Sequence, residues 1–493
     1  MSTLVKLSIE QQSALQDFEE GKNLFITGPA GTGKTTLVRE LVQSASRRGK
    51  KMQITAMTGC AALLLGRGAR TIQSWSGIKI DNGPAMSIVH KVLKQDKNFA
   101  TWEAVDILHV DEVSMMSQKM FEMLDVIGRA TRHCDEPFGG LQIIFTGDFY
   151  QLPPIGKLDD PGSTLFCFQS PKWLEVFPLD NHIVLSTIFR QTESQFQSIL
   201  EGVRTGQLTK EHCDLLKKMV GRPYKSGDHA KCALTRLVPT RQQADNINDA
   251  EFKKLSGQCY EYALVERMDC TEYIETGQPI SKYDLDRSKQ IPTRYKQDEL
   301  KGLKTSAPCR EKLEMKLGAT VMCIVNFDLE DGICNGSIGT IIDFMMKGDF
   351  PVPVVRFTNG VERAIGRKYW QSEEYPTIAI GQVPLCLAWA VTIHKSQGAT
   401  LPMAEIDIGT KIFECGQTYV GLSRVKSLDG LYLSGFNPRR IRVNQIVRKF
   451  YESIPLVEYA YDEDEDEDED EDVENRVVSP ASPTKVLHHP DFF

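Results

Sequence analysis

Eight residues constrain this chain more than any others: Gly28-Pro29-Ala30-Gly31-Thr32-Gly33-Lys34-Thr35. They fit G-x-x-x-x-G-K-[ST] in the context the pattern requires, after the apolar run Leu24-Phe25-Ile26 and before the helical opening Thr36-Leu37-Val38. Glycines let the backbone curl so that its N–H groups converge, and a helix N-terminus adds positive dipole at the same point. Lys34 supplies a point charge for the outer phosphates, and the Thr35 hydroxyl is a hard oxygen ligand for Mg²⁺. Gly28, Pro29, Ala30, Gly31, Thr32, Gly33, Lys34, Thr35 and Thr36 are therefore expected to hold a nucleoside triphosphate.

Strand-like apolar runs alternate with helical patterns up to residue 190: Leu24–Thr27, Gln53–Ala56, Ile107–Val110, Leu141–Thr146 and His182–Leu185. Such alternation predicts a mostly parallel sheet covered by helices. Phe196, Ile199, Leu200 and Val203 have helical spacing. A second α/β unit starts near Thr235 and resumes at Leu385–Ile393. Between them, residues 260–315 are polar and weakly periodic, and 316–365 reads as short strands with a turn at Asn359-Gly360. A small β-barrel inserted into the second unit accounts for that stretch. From Asp462 the chain is low-complexity and is expected to be disordered.

Charge is distributed unevenly. Residues 462–493 hold 13 acids and 2 bases, which leaves 56 bases against 53 acids in residues 1–461. The near-neutral body neither requires nor excludes a local basic groove for nucleic acid. Twelve cysteines are scattered without a C-x-x-C pair, which suits an intracellular, reducing compartment. No apolar run reaches the roughly 18 residues of a membrane span, and the N-terminus has no signal-peptide pattern.

Ile107-Leu108-His109-Val110 is an apolar strand ending in Asp111-Glu112. After a phosphate loop, one such carboxylate can hold Mg²⁺ through water and its neighbour can activate the attacking water. Gly147 through Gln151 follows the next strand in the same way, and an amide such as Gln151 can sense the terminal phosphate without adding charge. Phosphoryl transfer also needs cations over the developing charge; Arg190 and Arg424 are candidates, although spacing alone does not select them from other arginines.

Taken in order, these motifs resemble the PIF (petite integration frequency) family of superfamily-one DNA helicases, the 5′-to-3′ branch. Leu7 through Gln11 is similar to its adenine-reading glutamine motif. Thr58-Gly59-Cys60-Ala61-Ala62 and Thr71-Ile72-Gln73-Ser74-Trp75 are similar to its strand-contacting motifs. Asp111 through Met115 resembles its metal-and-base motif, and Lys119–Arg132 with Pro137–Gln142 resembles the segment that separates the family from its relatives. GDFYQLPP at Gly147–Pro154, Leu387–Gly398 and Tyr419–Arg424 complete the set, over roughly residues 7–451. Gln73 and Trp75 stand where the family usually has His and Phe. The long N-terminal extension of some cellular members does not precede these motifs, so no organelle presequence or regulatory arm is expected.

The resemblance implies an α/β fold of two RecA-like motor domains. Residues 1–190 would form the first, with a small insertion near 66–101, and residues 191–255 and 379–453 the second. Residues 256–378 would be a β-rich accessory insertion and 454–493 a disordered acidic tail. It further implies that Gln11 reads adenine, Lys34 and Thr35 hold phosphates and Mg²⁺, Asp111 supports the metal and Glu112 activates water. Gln151, Arg190 and Arg424 would sense or stabilise the γ-phosphate. Thr58, Ser74, Trp75, His394, Lys395 and Ser396 would line a single-strand track. For Trp75, Trp389 and His394 an ordinary packing role stays open, since tryptophan is usually mostly buried.

The implied activity is ATP- and Mg²⁺-dependent 5′-to-3′ unwinding of DNA, on single-stranded and forked substrates. The alternative is an ATPase that remodels protein–DNA complexes without separating strands. The acidic run suggests a solubilising tail, a segment that competes with DNA for a basic groove, or one that presents Asp491-Phe492-Phe493 to a replication partner. Ser482-Pro483-Thr484-Lys485 resembles a proline-directed kinase site and points to a eukaryotic host or a virus of one; a nucleus or viral replication site is expected rather than a mitochondrion. A monomer in solution is expected.

Overall fold

The computed structural model describes residues 6–460 and 484–488, apart from residues 67, 79–83, 192, 225–233, 275–276, 308, 326, 329–330, 334–335, 373–374 and 399. Its first unit is built on six parallel strands: β1 (Leu24–Thr27), β2 (Met52–Ala56), β3 (Arg70–Thr71), β4 (Ile107–Asp111), β5 (Gln142–Gly147) and β6 (His182–Val184). They lie in the order β3-β2-β4-β5-β1-β6. All four residues of β1 are buried, as expected of a strand covered on both faces. Thr27 pairs with Gly147 and Val110 with Phe145, so the phosphate loop, the two carboxylates and the GDFYQ segment leave neighbouring strand ends on one edge. That is where a parallel α/β sheet binds ligands.

Helix Lys34–Arg47 covers this sheet with Leu37, Val38, Leu41, Ser44 and Ala45, a stripe at helical period. Near residues 66–101 the chain forms three short helices, Ile72–Ser76, Ala85–Leu93 and Asp96–Glu103. Their Trp75, Ile88, Val89, Val92 and Trp102 join the first core. In the segment Lys119–Gln142, fully buried Asp125 accepts from Arg129 (2.8 Å), Lys172 (2.5 Å) and the Phe138 amide (2.9 Å). Arg132 caps the carbonyls of Trp102, Val105 and Gly139. This segment is a structural brace against the sheet.

Helix Ser194–Thr205 turns Phe196, Ile199, Leu200 and Val203 into the second core, as their spacing predicts. The second unit's sheet is also parallel, in the order Ala390–Thr392, Thr235–Val238, Ala404–Ile408, Leu431–Phe436. The inserted strands lie in antiparallel sheets of five, three and two strands, which makes the insertion β-rich as expected. Their hairpin at Asn359-Gly360 forms as predicted: the Phe357 amide donates to Val361 O (2.8 Å). The polar stretch holds two helices, Lys282–Gln290 and Thr293–Ser306. The insertion also runs past residue 378, because Ala379–Gln382 and Leu385–Leu387 pair within its sheets.

Helix Gln445–Glu452 departs from the expected division most clearly. Although it follows the second sheet, its Val447, Phe450 and Tyr451 pack into the first core. Phe450 stacks on Phe168 (4.2 Å between ring centroids) and Tyr451 on Tyr150 (4.7 Å). Within the expected tail, Leu456–Ala460 and Thr484–His488 pair antiparallel. The acidic run, Ser482-Pro483 and Phe492-Phe493 lie outside the described residues.

Candidate active site

The phosphate loop turns through positive φ at Gly31, where a Cβ would sit 2.6 Å from Arg190 Cβ. Only glycine fits, and the contact brings Arg190 beside the loop. Gln11 lies on the other flank. Its Oε1 accepts from the Ser8 amide (3.0 Å) as part of a capping box, and its Nε2 donates to Thr32 O (3.2 Å). Lys34 opens the helix, and its ammonium donates to Gly28 O (2.7 Å), Pro29 O (2.9 Å) and Thr32 Oγ1 (3.4 Å). Burial lowers the Lys34 pKa, an effect opposed by Asp148, Glu112 and Asp111. Thr35 and Thr36 follow in the same half-buried first turn.

Asp111 and Glu112 leave the neighbouring edge of the sheet. Asp111 Oδ1 accepts from the Thr146 hydroxyl at 2.6 Å. Glu112 adopts a left-handed conformation (φ 56°, ψ 41°), a strain met chiefly at functional sites. Burial, and then the charge of Asp111, push its pKa up to about 7, against the pull of Arg424, Gln397 and Lys34. A carboxyl poised there is suited to taking a proton near neutral pH.

The second unit closes over these groups. Gln397 Nε2 donates to Glu112 Oε2 (3.0 Å), and the Ala30 amide donates to Tyr419 Oη (2.7 Å). Arg190 Nη1 donates to Ser423 O (3.3 Å). Arg424 is 2% exposed; burial and the nearby Arg190 lower its pKa to about 10, while Glu112 opposes the shift. Gly416, at φ 76°, presses on the loop after β5, where a Cβ would meet Gln151 O at 2.4 Å. Gln151 Oε1, Gln191 Oε1 and Gln397 Oε1 are buried without a hydrogen-bond partner. An amide can rotate to present its NH₂ instead. The cleft thus gathers Lys34, Arg190, Arg424 and rotatable amides, which suits a polyanion.

Below the cleft, Arg204 makes a two-pronged ion pair with Asp148 (2.9 and 3.1 Å) and lies over the Tyr150 ring. The Tyr451 hydroxyl donates to Asp148 Oδ1 (3.2 Å), accepts from the Phe149 amide (3.1 Å) and meets Thr27 Oγ1 at 2.6 Å. The sequence reading did not select Gln397 or Tyr419, though both sit inside motifs it quoted. Arg204 and Tyr451 lie outside every motif.

Thr35 and Asp111 offer a hydroxyl and a carboxylate beside the phosphate loop, and these hard oxygens fit Mg²⁺. Among the described residues no group of three or more His, Cys, Asp or Glu side chains is gathered for a metal.

The proposed strand contacts fare less evenly. Thr58 caps helix Gly59–Leu65, its Oγ1 accepting from the Ala61 amide (3.1 Å). Ser74 and Lys395 are exposed, and half-buried His394 stacks on exposed Phe413 (5.9 Å, 15°). Burial lowers the His394 pKa. Trp75 is corrected: it is 3% exposed and packs on Trp102 (4.6 Å), so it belongs to the core. Ser396 is corrected as well, being buried with its hydroxyl donating to Ile393 O (2.8 Å). Trp389 is half-buried against the second core.

Comparison with known proteins agrees with this architecture. The family model for PIF1-like helicases matches residues 6–214, and that for the 2B domain of the DNA helicase Pif1 matches residues 299–344. The chain is 33% identical over 455 residues to the ATP-dependent DNA helicase PIF1 of Danio rerio, covering 91% of this chain and 64% of that protein. It thus spans just under two thirds of that curated relative. The crystal structure of the Pif1 helicase from Candida albicans superposes with a TM-score of 0.76 at 31% identity, covering 91% of this chain and 99% of the other. The Bacteroides Pif1 helicase in complex with ADP-AlF3 and ssDNA gives 0.64 at 26% identity, covering 91% and 97%. With its two parallel-sheet units, its phosphate loop and relatives matched over most of its length, the chain belongs to the PIF1-like helicase family.

Proposed function

We propose that this chain is an ATP-driven DNA helicase that moves 5′ to 3′ along single-stranded DNA and unwinds forked or structured DNA. One observation carries the reading: groups from both units meet at the phosphate loop, with Lys34 and Glu112 on one side and Gln397, Tyr419 and Arg424 on the other. Glu112 takes the proton of the attacking water while Gln397 holds its carboxylate. Lys34, Arg190 and Arg424 neutralise the charge that develops on the transferred phosphoryl group, and the geometry is built before reaction begins. Thr35 and Asp111 would hold Mg²⁺, which would supply further positive charge to the phosphates. Loss of the terminal phosphate removes the anion that Arg424 and Lys34 share, so the units part and the grip on DNA shifts. Thr58, Ser74, His394 and Lys395, with Phe413 added and Trp75 and Ser396 removed, form the strand track.

The finer reading is of a monomer in a reducing compartment, a nucleus or viral replication site, with the acidic run and Phe492-Phe493 engaging a replication protein. Nine of the cysteines form no disulfide, and no described helix is long and apolar enough to cross a membrane. Strand displacement on duplexes with a 5′ or a 3′ overhang tests the function. Unwinding of the 5′-tailed duplex alone supports it. ATP hydrolysis without strand separation on either would replace it with remodelling of protein–DNA complexes.

A further inference from the structure

Two fully buried polar side chains of the first sheet take no part in the chemistry above: His109 within β4 and Thr146 near the end of β5. These strands are neighbours, and His109 and Asp111, two apart on one strand, project to the same side. His109 Nε2 lies 2.9 Å from Thr146 Oγ1, and Thr146 Oγ1 donates to Asp111 Oδ1 at 2.6 Å. A hydroxyl has one hydrogen. With that hydrogen given to Asp111, the oxygen can only accept from His109, which fixes the Nε2–H tautomer. His109 Nδ1 is then a buried acceptor, and it has no hydrogen-bond partner. Leaving it unpaired is costly, and an apolar residue like the flanking Leu108 and Val110 would avoid that cost. A neutral ring also adds no positive charge to compete for the carboxylate.

We propose that His109 is a positioning residue for the metal: through Thr146 it holds Asp111 in one orientation, with Oδ1 engaged and the other oxygen left for Mg²⁺. Groups that orient a metal-supporting side chain from behind commonly change metal affinity by about 10–100-fold when removed. The inference rests on the reading of this cleft as a Mg²⁺-nucleotide site, so the wild-type chain is the first arm of the test. The probe is mant-ADP, titrated into the full chain with Mg²⁺ or with EDTA, alongside electron paramagnetic resonance of Mn²⁺ binding. His109→Val and Thr146→Val should weaken Mn²⁺ and Mg²⁺-mant-ADP binding about 10-fold while leaving binding in EDTA unchanged. His109→Gln, whose amide can donate to Thr146, should restore most of the loss. Thr146→Val keeps the volume of threonine and carries the test if His109→Val does not fold. Wild-type metal affinity in folded Thr146→Val and His109→Val overturns the inference, as does a loss of equal size in EDTA. If the wild-type chain binds mant-ADP equally with and without Mg²⁺, the site reading fails and takes the inference with it.

Discussion

Glu112 ties the chemistry to pH. Its pKa lies near 7 because burial and Asp111 disfavour the charged form, so the fraction able to accept a proton grows as pH rises through neutrality. ATP turnover should therefore fall off on the acid side with a midpoint near pH 7. Glu112→Gln should lose this limb and about 10²–10⁴-fold in turnover while still binding Mg²⁺-ATP, since the amide keeps the shape and cannot take the proton. A pH–rate profile of both proteins checks this, and an unchanged acid limb in the variant would move the base elsewhere. Trp75 makes the opposite kind of prediction. Packed on Trp102 at 3% exposure, it should cost about 3–5 kcal/mol of stability on change to alanine, by chemical denaturation. Its removal should leave base stacking untouched. The positions of Lys34, Asp111 and Glu112 were legible because a motif ties each residue to the end of a strand. The burial of Trp75 and Ser396 was not, because a motif match says nothing about which side of a short helix or turn faces the core.

At the scale of elements, the strands of both sheets were legible as apolar runs bounded by turns. Helices Lys282–Gln290 and Thr293–Ser306 were not: they are polar around most of their circumference, so no apolar stripe marks their period. Helix Gln445–Glu452 was hidden for another reason. Its partners Phe149, Phe168 and Tyr150 lie some three hundred residues earlier in the chain, beyond any local pattern. This helix is the clasp that returns the end of the chain to the first unit, and its Tyr451 hydroxyl joins the ends of β1 and β5 through Thr27, Phe149 and Asp148. Tyr451→Phe leaves those buried groups short of a partner and should destabilise the chain by about 1–3 kcal/mol. Equilibrium denaturation measures the loss. A variant as stable as wild type would mean that the helix is held by its rings alone.

For the molecule as a whole, the proposed function depends on how two units, near-neutral when taken together, share one anion, with an acidic run following them in the sequence. Deleting residues 462–493 should leave both units folded, since among the described residues no core cluster draws on that segment, and only strand Leu456–Ala460 loses its partner Thr484–His488. It should also tighten single-strand binding, most strongly at low salt, where charges act over more than about 10 Å. Fluorescence anisotropy across a salt series reads this directly, and salt-independent, unchanged affinity would leave the tail a solubilising role. On the proposed mechanism, ATP is hydrolysed only when the second unit completes the site built on the first. Arg424 tests it most directly, because it comes from the second unit and faces Glu112 and Arg190 across the cleft. The decisive measurement is steady-state ATP hydrolysis by Arg424→Ala in saturating single-stranded DNA. Its kcat should fall by about 10³-fold or more with KM changed little, because a charge-stabilising arginine acts mainly on the transition state. A variant that retains wild-type kcat, with or without a raised KM, would contradict it.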